Sequence, residues 1–258
     1  MKKAILCTSF GTSIDAARES ITAVEKALCA TAPDRIFARA YTSSIIRRIL
    51  EKRGQPVMGV AQALESLAAE GAEDVFVQPT HILCGSEYEK IKREMTPWQD
   101  RFRLLRVGRP LVSGTEDLRH LAEIVAENTP MREGEALVLF GHGSDHFADM
   151  VYPALKTAFH LAGRKDVLVG TVEGWPTFED VVAQLRDSGC TDVHLLPLML
   201  VAGDHVLNDM AGEDPESWKS QLETLGYSVR CTLRGLGMMP GIAELYCRHL
   251  REDLAIQE

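Results

Sequence analysis

The chain repeats one order of strand, helix and turn twice, and this repeat constrains its fold more than any other feature. Ala4-Ile5-Leu6-Cys7-Thr8-Ser9-Phe10-Gly11 has the pattern of Ala136-Leu137-Val138-Leu139-Phe140-Gly141-His142-Gly143. Asp74-Val75-Phe76-Val77-Gln78-Pro79 has the pattern of Asp192-Val193-His194-Leu195-Leu196-Pro197, and Gly85 follows the first as Gly203 follows the second. The offset is 132 residues from Gly11 to Gly143 and 118 from Gly85 to Gly203, so the first copy carries 14 more residues between these points. That excess is placed at 47–60. A chain of this kind is read as an internal duplication.

Apolar runs of strand length alternate with helical periodicity. In the first half they predict strands at 3–9, 35–40, 74–78 and 103–107, and helices at 15–31, 43–52, 60–70, 86–96 and 116–128. In the second half they predict strands at 135–140, 167–171, 193–196 and 229–233, and helices at 147–161 and 177–188. Further helices begin at 204 and 240, and the segment around Trp218 reads as amphipathic helix. Strands that alternate with helices form parallel sheets covered on both faces. The expected fold is therefore α/β, with two similar lobes at 1–130 and 131–258 and a cleft between them. Ligands of such sheets sit outside the carboxyl ends of the strands.

Composition narrows the function classes. The 258 residues are 45% hydrophobic and 25% charged, with a formal net charge of -9. A net acidic surface argues against non-specific nucleic-acid binding. No apolar stretch reaches membrane-spanning length. Lys2 and Lys3 precede a short apolar run, but Thr8, Ser9, Thr12 and Asp15 interrupt it before it resembles a full signal peptide. The six cysteines are scattered with no CxxC, which reads as reduced thiols and a cytoplasmic location. The sequence leaves room for a homo-oligomer.

Three residues of the second half carry the chemistry. His142 lies between two glycines just after a strand, where a tight turn and close approach of a ligand are allowed. The alternative for that loop is a phosphate cradle or helix cap, although Gly-His-Gly-Ser lacks the dinucleotide spacing and a Walker lysine. Glu173 follows the strand at 167–171, with Gly174-Trp175-Pro176 turning the chain behind it. Its alternative is an ordinary surface glutamate. His205 opens a predicted helix, with Asp204 beside it to cap that helix or orient the imidazole. Two imidazoles and a carboxylate suit a borderline divalent metal with coordination positions left open. They also suit acid–base work near neutrality. The first copy offers Phe10, Tyr41 and Glu87 at the corresponding places, so only one lobe carries the set. The methionines at 199, 210, 238 and 239 read as packing rather than soft-metal ligands.

The chain resembles the anaerobic cobalt chelatases that act on sirohydrochlorin, within the ATP-independent tetrapyrrole chelatases that include ferrochelatase. The likeness covers nearly the whole chain. It rests on Ser9-Phe10-Gly11-Thr12-Ser13, on Ala40-Tyr41-Thr42-Ser43, and on His81 with Gly85-Ser86-Glu87-Tyr88-Glu89-Lys90-Ile91. It is strongest at Gly141-His142-Gly143, at Val172-Glu173-Gly174 and from Leu196 through His205 to Met210. The resemblance implies two α/β lobes with a tetrapyrrole in the cleft. It implies that His142, Glu173 and His205 serve in catalysis and in metal binding, and that Co2+ is inserted as a step of cobalamin biosynthesis. Fe2+ or Ni2+ insertion and a non-catalytic tetrapyrrole or metal carrier stay open as alternatives.

Metal insertion needs a loosely held ion, a base for two pyrrole protons and a cleft that orients the macrocycle. His142, in its glycine-flanked loop, is the favoured base. The carboxylates of sirohydrochlorin call for hydroxyl or basic groups at the rim: Ser9, Thr12, Ser13, Arg47, Arg48, His81 and Lys90 are candidates. Phe10 and Tyr41 are candidates for packing on the macrocycle, and Glu87 completes the set expected to bind substrate. No nucleotide-binding motif occurs, in line with a reaction that needs no ATP.

Overall fold

The structure, a computed structural model, describes residues 1–256. In chain order its main elements are β1 (Lys3–Ser9), α1 (Arg18–Thr31), β2 (Ile36–Tyr41), α2 (Ser44–Lys52), α3 (Val60–Ala69), β3 (Asp74–Pro79), α4 (Ser86–Met95), β4 (Leu104–Val107) and α5 (Thr115–Asn128). They continue with β5 (Glu135–Gly141), α6 (Val151–Leu161), β6 (Val167–Thr171), α7 (Phe178–Ser188), β7 (Asp192–Pro197), α8 (Trp218–Thr224), β8 (Ser228–Cys231) and α9 (Ile242–Ala255). The strands form two four-stranded sheets, ordered β2-β1-β3-β4 and β6-β5-β7-β8, and every pairing is parallel. The two halves therefore share one topology.

Burial explains the strand sequences. β5 is buried at every position, as a strand with helices on both faces must be. In the second sheet one face packs Val138, Phe140, Val193 and Leu195 against α7 and α8. There the Trp218 ring meets Phe140 and Phe178 edge-on, with centroids 4.9 and 5.1 Å away. α7 starts at a capping box in which Thr177 Oγ1 accepts from the Asp180 N–H and Asp180 accepts from the Thr177 N–H. It stops at Gly189, whose φ of 71° is the left-handed conformation that glycine tolerates.

The chain divides into two compact units, Met1–Ser113 joined by the segment from Gly241 onward, and Gly114–Pro240. This division differs from the boundary read at 130/131. α5 belongs with the second unit, where it packs on α6, and α9 with the first, where it packs on α1. The reason is the direction of their apolar faces. α9 buries Ile242, Leu245, Tyr246 and Leu250, and the Tyr246 hydroxyl donates to the Thr80 carbonyl at 2.8 Å.

Backbone register sharpens the duplication. Thr42 N–H donates to Ser9 O, and Val172 N–H to Gly141 O. One residue on, Ser43 N–H donates to Phe10 O, and Glu173 N–H to His142 O. Phe10 is thus the counterpart of His142, but the counterpart of Glu173 is Ser43. Tyr41 matches Thr171, because Ser9 pairs with Tyr41 as Gly141 pairs with Thr171. The excess of the first copy falls on α2 and the loop before α3, which have no equivalent between β6 and α7.

Candidate metal centre

Three chain segments at the carboxyl ends of neighbouring strands deliver His142, Glu173 and His205. His142 follows β5, Glu173 follows β6, and His205 lies in the segment after β7. One ligand atom from each residue lies within 4.8 Å of the others. The two imidazoles stand edge to face, with centroids 4.6 Å apart and planes at 83°. His142 Nδ1 lies 3.7 Å from Glu173 Oε2. The histidines are partly buried and Glu173 is exposed, so a large ligand can reach the group.

Two glycine-dependent contacts hold the first two segments together. Gly143 has φ 79°, and a Cβ there would lie 2.5 Å from Gly174 N and 2.6 Å from Thr171 Cβ. A Cβ at Gly174 would lie 2.5 Å from Ser144 N. Only glycine lets the loop after β5 press on the loop after β6 at this distance. The same construction occurs in the first copy, where a Cβ on Gly11 would lie 2.5 Å from the Tyr41 ring.

Polar side chains then pin the His142 loop. Asp149, buried, accepts from Ser144 N–H at 2.6 Å and from the Ser144 hydroxyl at 2.9 Å. The Tyr152 hydroxyl accepts from Gly143 N–H at 3.2 Å, and burial pushes its phenol up. His142 Nδ1 lies 2.8 Å from Gly143 O. A carbonyl only accepts, so Nδ1 carries the proton and Nε2 keeps its lone pair.

His205 is oriented differently from the sequence expectation. Its Nδ1 bonds Asp209 Oδ2 at 2.6 Å, while Asp204 accepts from the Asn208 side-chain amide at 2.9 Å. Asp209 lies four residues on, within reach of the ring, and the predicted helix widens here into a π-helical turn, Val206–Met210, a distortion frequent at functional sites. A carboxylate on the far nitrogen fixes the ring and leaves Nε2 free for a metal.

Sequence reading missed Asp149, Tyr152 and Asp209. Asp209 carried a signal, since it follows His205 at helical spacing. Asp149 and Tyr152 carried none: 147–161 read as one helix, whereas a 3-10 turn at Phe147–Met150 precedes α6 and turns Asp149 back to Ser144. Phe147, Trp175 and Leu207, which follow the three residues along the chain, are exposed, and the sequence reading had not singled them out.

The first unit arranges its candidates otherwise. Phe10 is exposed, whereas Ser9, Thr12 and Tyr41 are buried. The Ser9 hydroxyl is 2.6 Å from that of Thr80, Thr12 Oγ1 accepts from Ile14 N–H at 3.2 Å, and Tyr41 packs under Gly11. Ser13 is partly buried. His81 Nε2 is 3.4 Å from Thr42 Oγ1, and Lys90 donates to Thr42 O at 2.6 Å and pairs with Glu87 at 3.6 Å. Burial holds the His81 imidazole down to about 4, with Glu87 opposing and Lys90 adding to the shift. Arg47 and Arg48 lie on α2, where Arg47 reaches Gln62 at 3.5 Å.

The family model described as cobalt chelatase (CbiK) matches residues 3–255. The chain is 41% identical over 263 residues to the sirohydrochlorin cobaltochelatase of Salmonella typhimurium, covering 100% of this chain and 99% of that protein. It is 33% identical over 255 residues to the sirohydrochlorin cobaltochelatase CbiKC of Nitratidesulfovibrio vulgaris, covering 96% and 89%. Among solved structures it is similar to SirB from Bacillus subtilis with Fe3+, with TM-score 0.68, 17% identity and coverage of 100% and 98%. It is similar also to the sirohydrochlorin chelatase SirB from Bacillus subtilis subspecies spizizenii in complex with cobalt, with TM-score 0.66, 15% identity and coverage of 100% and 97%. At those identities the structural likeness is one of fold.

Proposed function

The chain belongs to the cobalt chelatase (CbiK) family, and from that membership we propose that it inserts a divalent metal ion, Co2+ first, into sirohydrochlorin without ATP. The observation that carries this reading is the convergence of His142, Glu173 and His205 within 4.8 Å at the ends of three strands. Two imidazoles and one carboxylate bind such an ion while leaving coordination positions open. The metal is a substrate here, so it must be held and then released.

In this reading Nε2 of each histidine and the Glu173 carboxylate receive the ion. Asp209 and Gly143 O hold the rings by their Nδ1–H groups. Insertion exchanges two pyrrole N–H protons for one divalent ion. The freed His142 Nε2 takes the two pyrrole protons one after the other and passes each to water, a role its half-exposed loop allows. Exposed Phe147, Trp175 and Leu207 give an apolar macrocycle a surface to lie on. On the first unit, Phe10, Ser13, His81 and Glu87 are assigned direct contact with substrate. Ser9, Thr12 and Tyr41, being buried, are assigned to shaping the loop that presents Phe10. No helix among the described residues is long and apolar enough to cross a membrane. The six cysteines are free, which fits a reducing compartment such as the cytoplasm.

The test is turnover. Purified protein is mixed with excess sirohydrochlorin and Co2+, Fe2+ or Ni2+ in turn, and the absorption spectrum is followed without nucleotide. Many equivalents of metallated product per chain support the reading. Stoichiometric binding that stops at one equivalent supports a carrier and overturns it.

A further inference from the structure

Away from the metal centre, the second unit holds a cavity of about 220 Å³ lined by Thr129, His194, Arg230, Thr232, Arg234 and Met238 among others. His194 and Thr129 are each 3% exposed, and His194 Nδ1 and Thr129 Oγ1 are buried with no hydrogen-bond partner. Buried polar atoms are normally paired.

The surroundings set the tautomer of His194. Arg230 Nη1 is 3.3 Å from its Nε2, and Thr232 Oγ1 is 2.7 Å from the same atom. A guanidinium only donates, so Nε2 accepts and Nδ1 bears the proton. Burial and then the Arg230 charge hold the imidazole down to about 4, which keeps it neutral. Arg230 is itself matched by Glu135, which takes its Nε and Nη2. Arg234 is exposed and makes no ion pair or hydrogen bond among the described residues.

The duplication shows that the fold does not need these polar groups. In the register of the sheets, Phe76 pairs with Ile5 as His194 pairs with Leu137. Gly108 N–H donates to Val77 O as Thr232 N–H donates to Leu195 O. Arg106 lies over the Phe76 ring at 5.4 Å, as Arg230 lies beside His194. Gly108 packs so closely on Phe76 that a Cβ there would come within 2.7 Å of the ring. The first unit fills the position with Phe and Gly. The second has a histidine and a threonine there, in a cavity lined also by the unpartnered Thr129 hydroxyl and by Arg234.

We propose that this cavity binds a small oxyanion, a carboxylate or phosphate group, through the His194 Nδ1–H, the Thr129 hydroxyl and the Arg234 guanidinium. A neutral imidazole donor, a hydroxyl donor and one uncompensated cation match the acceptor oxygens of a small anionic group.

The full-length, metal-free protein is titrated calorimetrically with inorganic phosphate and, in a separate arm, with acetate, at constant ionic strength. Saturable one-site binding in either arm is expected, and the arm that saturates identifies the group. Arg234→Ala and the double variant His194→Phe with Thr232→Gly, which copies the first unit, should each weaken it by about tenfold or more. Thermal unfolding confirms that both variants fold; if the double variant does not, Arg234→Ala decides alone. No saturable binding of either anion, or binding unchanged in the folded variants, overturns the proposal.

Discussion

His205 is held by Asp209, whose Oδ2 lies 2.6 Å from its Nδ1 one turn further along the chain. That bond leaves the opposite nitrogen free to face the metal in the proposed function. Asp209→Ala should therefore weaken Co2+ binding by about 10- to 100-fold, read by titration with the ion alone. Asp204→Ala should leave it nearly unchanged, since Asp204 bonds Asn208 instead. Equal losses in the two variants would show that general negative charge, not orientation, is what matters.

The assignment of the proton acceptor separates the two histidines. Both His142→Ala and His205→Ala should lose Co2+ affinity. Saturating Co2+ should restore part of the turnover of His205→Ala and little of that of His142→Ala, because only His142 is asked to take a pyrrole proton. If His142→Ala kept normal turnover while His205→Ala lost it, the base would have to be reassigned.

Gly143 and Gly163 offer a matched pair. Both have positive φ, 79° and 86°, but only Gly143 meets neighbours where a Cβ would stand. Gly163→Ala should cost about 1–2 kcal/mol from backbone conformation alone. Gly143→Ala should cost more in denaturant unfolding and should also lower Co2+ affinity by parting the loops of His142 and Glu173. Equal stabilities for the two variants would contradict the close packing of those loops.

Stability should decline on mild acidification. His81 and His194 are each held from 6.5 down to about 4, in both cases chiefly by burial. Below about pH 6.5 the unfolded chain protonates these imidazoles while the folded chain does not until about pH 4, so it binds more protons and stability falls with pH across that window. Above it neither state is protonated and the contribution is complete. Urea unfolding at pH 7 and pH 5 should show the loss. The double variant His81→Gln with His194→Gln should show a shallower difference, and an unchanged difference would sink the assignment.

Much of this protein is written locally. The buried apolar runs of β1 and β5, the Thr177 capping box and the Gly189 stop define strands and a helix from short-range chemistry. The alternation of these elements then demands parallel sheets. His142, Glu173 and His205 were readable for the same reason: each follows a strand, and parallel strands bring their carboxyl ends to one side. Other features depended on neighbours distant along the chain. Only packing decided that α5 and α9 join the units opposite to those their position suggests. Only the sheet register made Ser43, rather than Tyr41, the counterpart of Glu173. Asp149 turns toward Ser144 because a 3-10 turn interrupts the expected helix, and Asp209 rather than Asp204 holds His205 because Asp204 is engaged by Asn208. Sequence determined which groups stand at the site, since residue type and strand order are local. Tertiary structure decided which partners hold them, since a hydrogen bond requires a position in space that spacing along the chain does not specify.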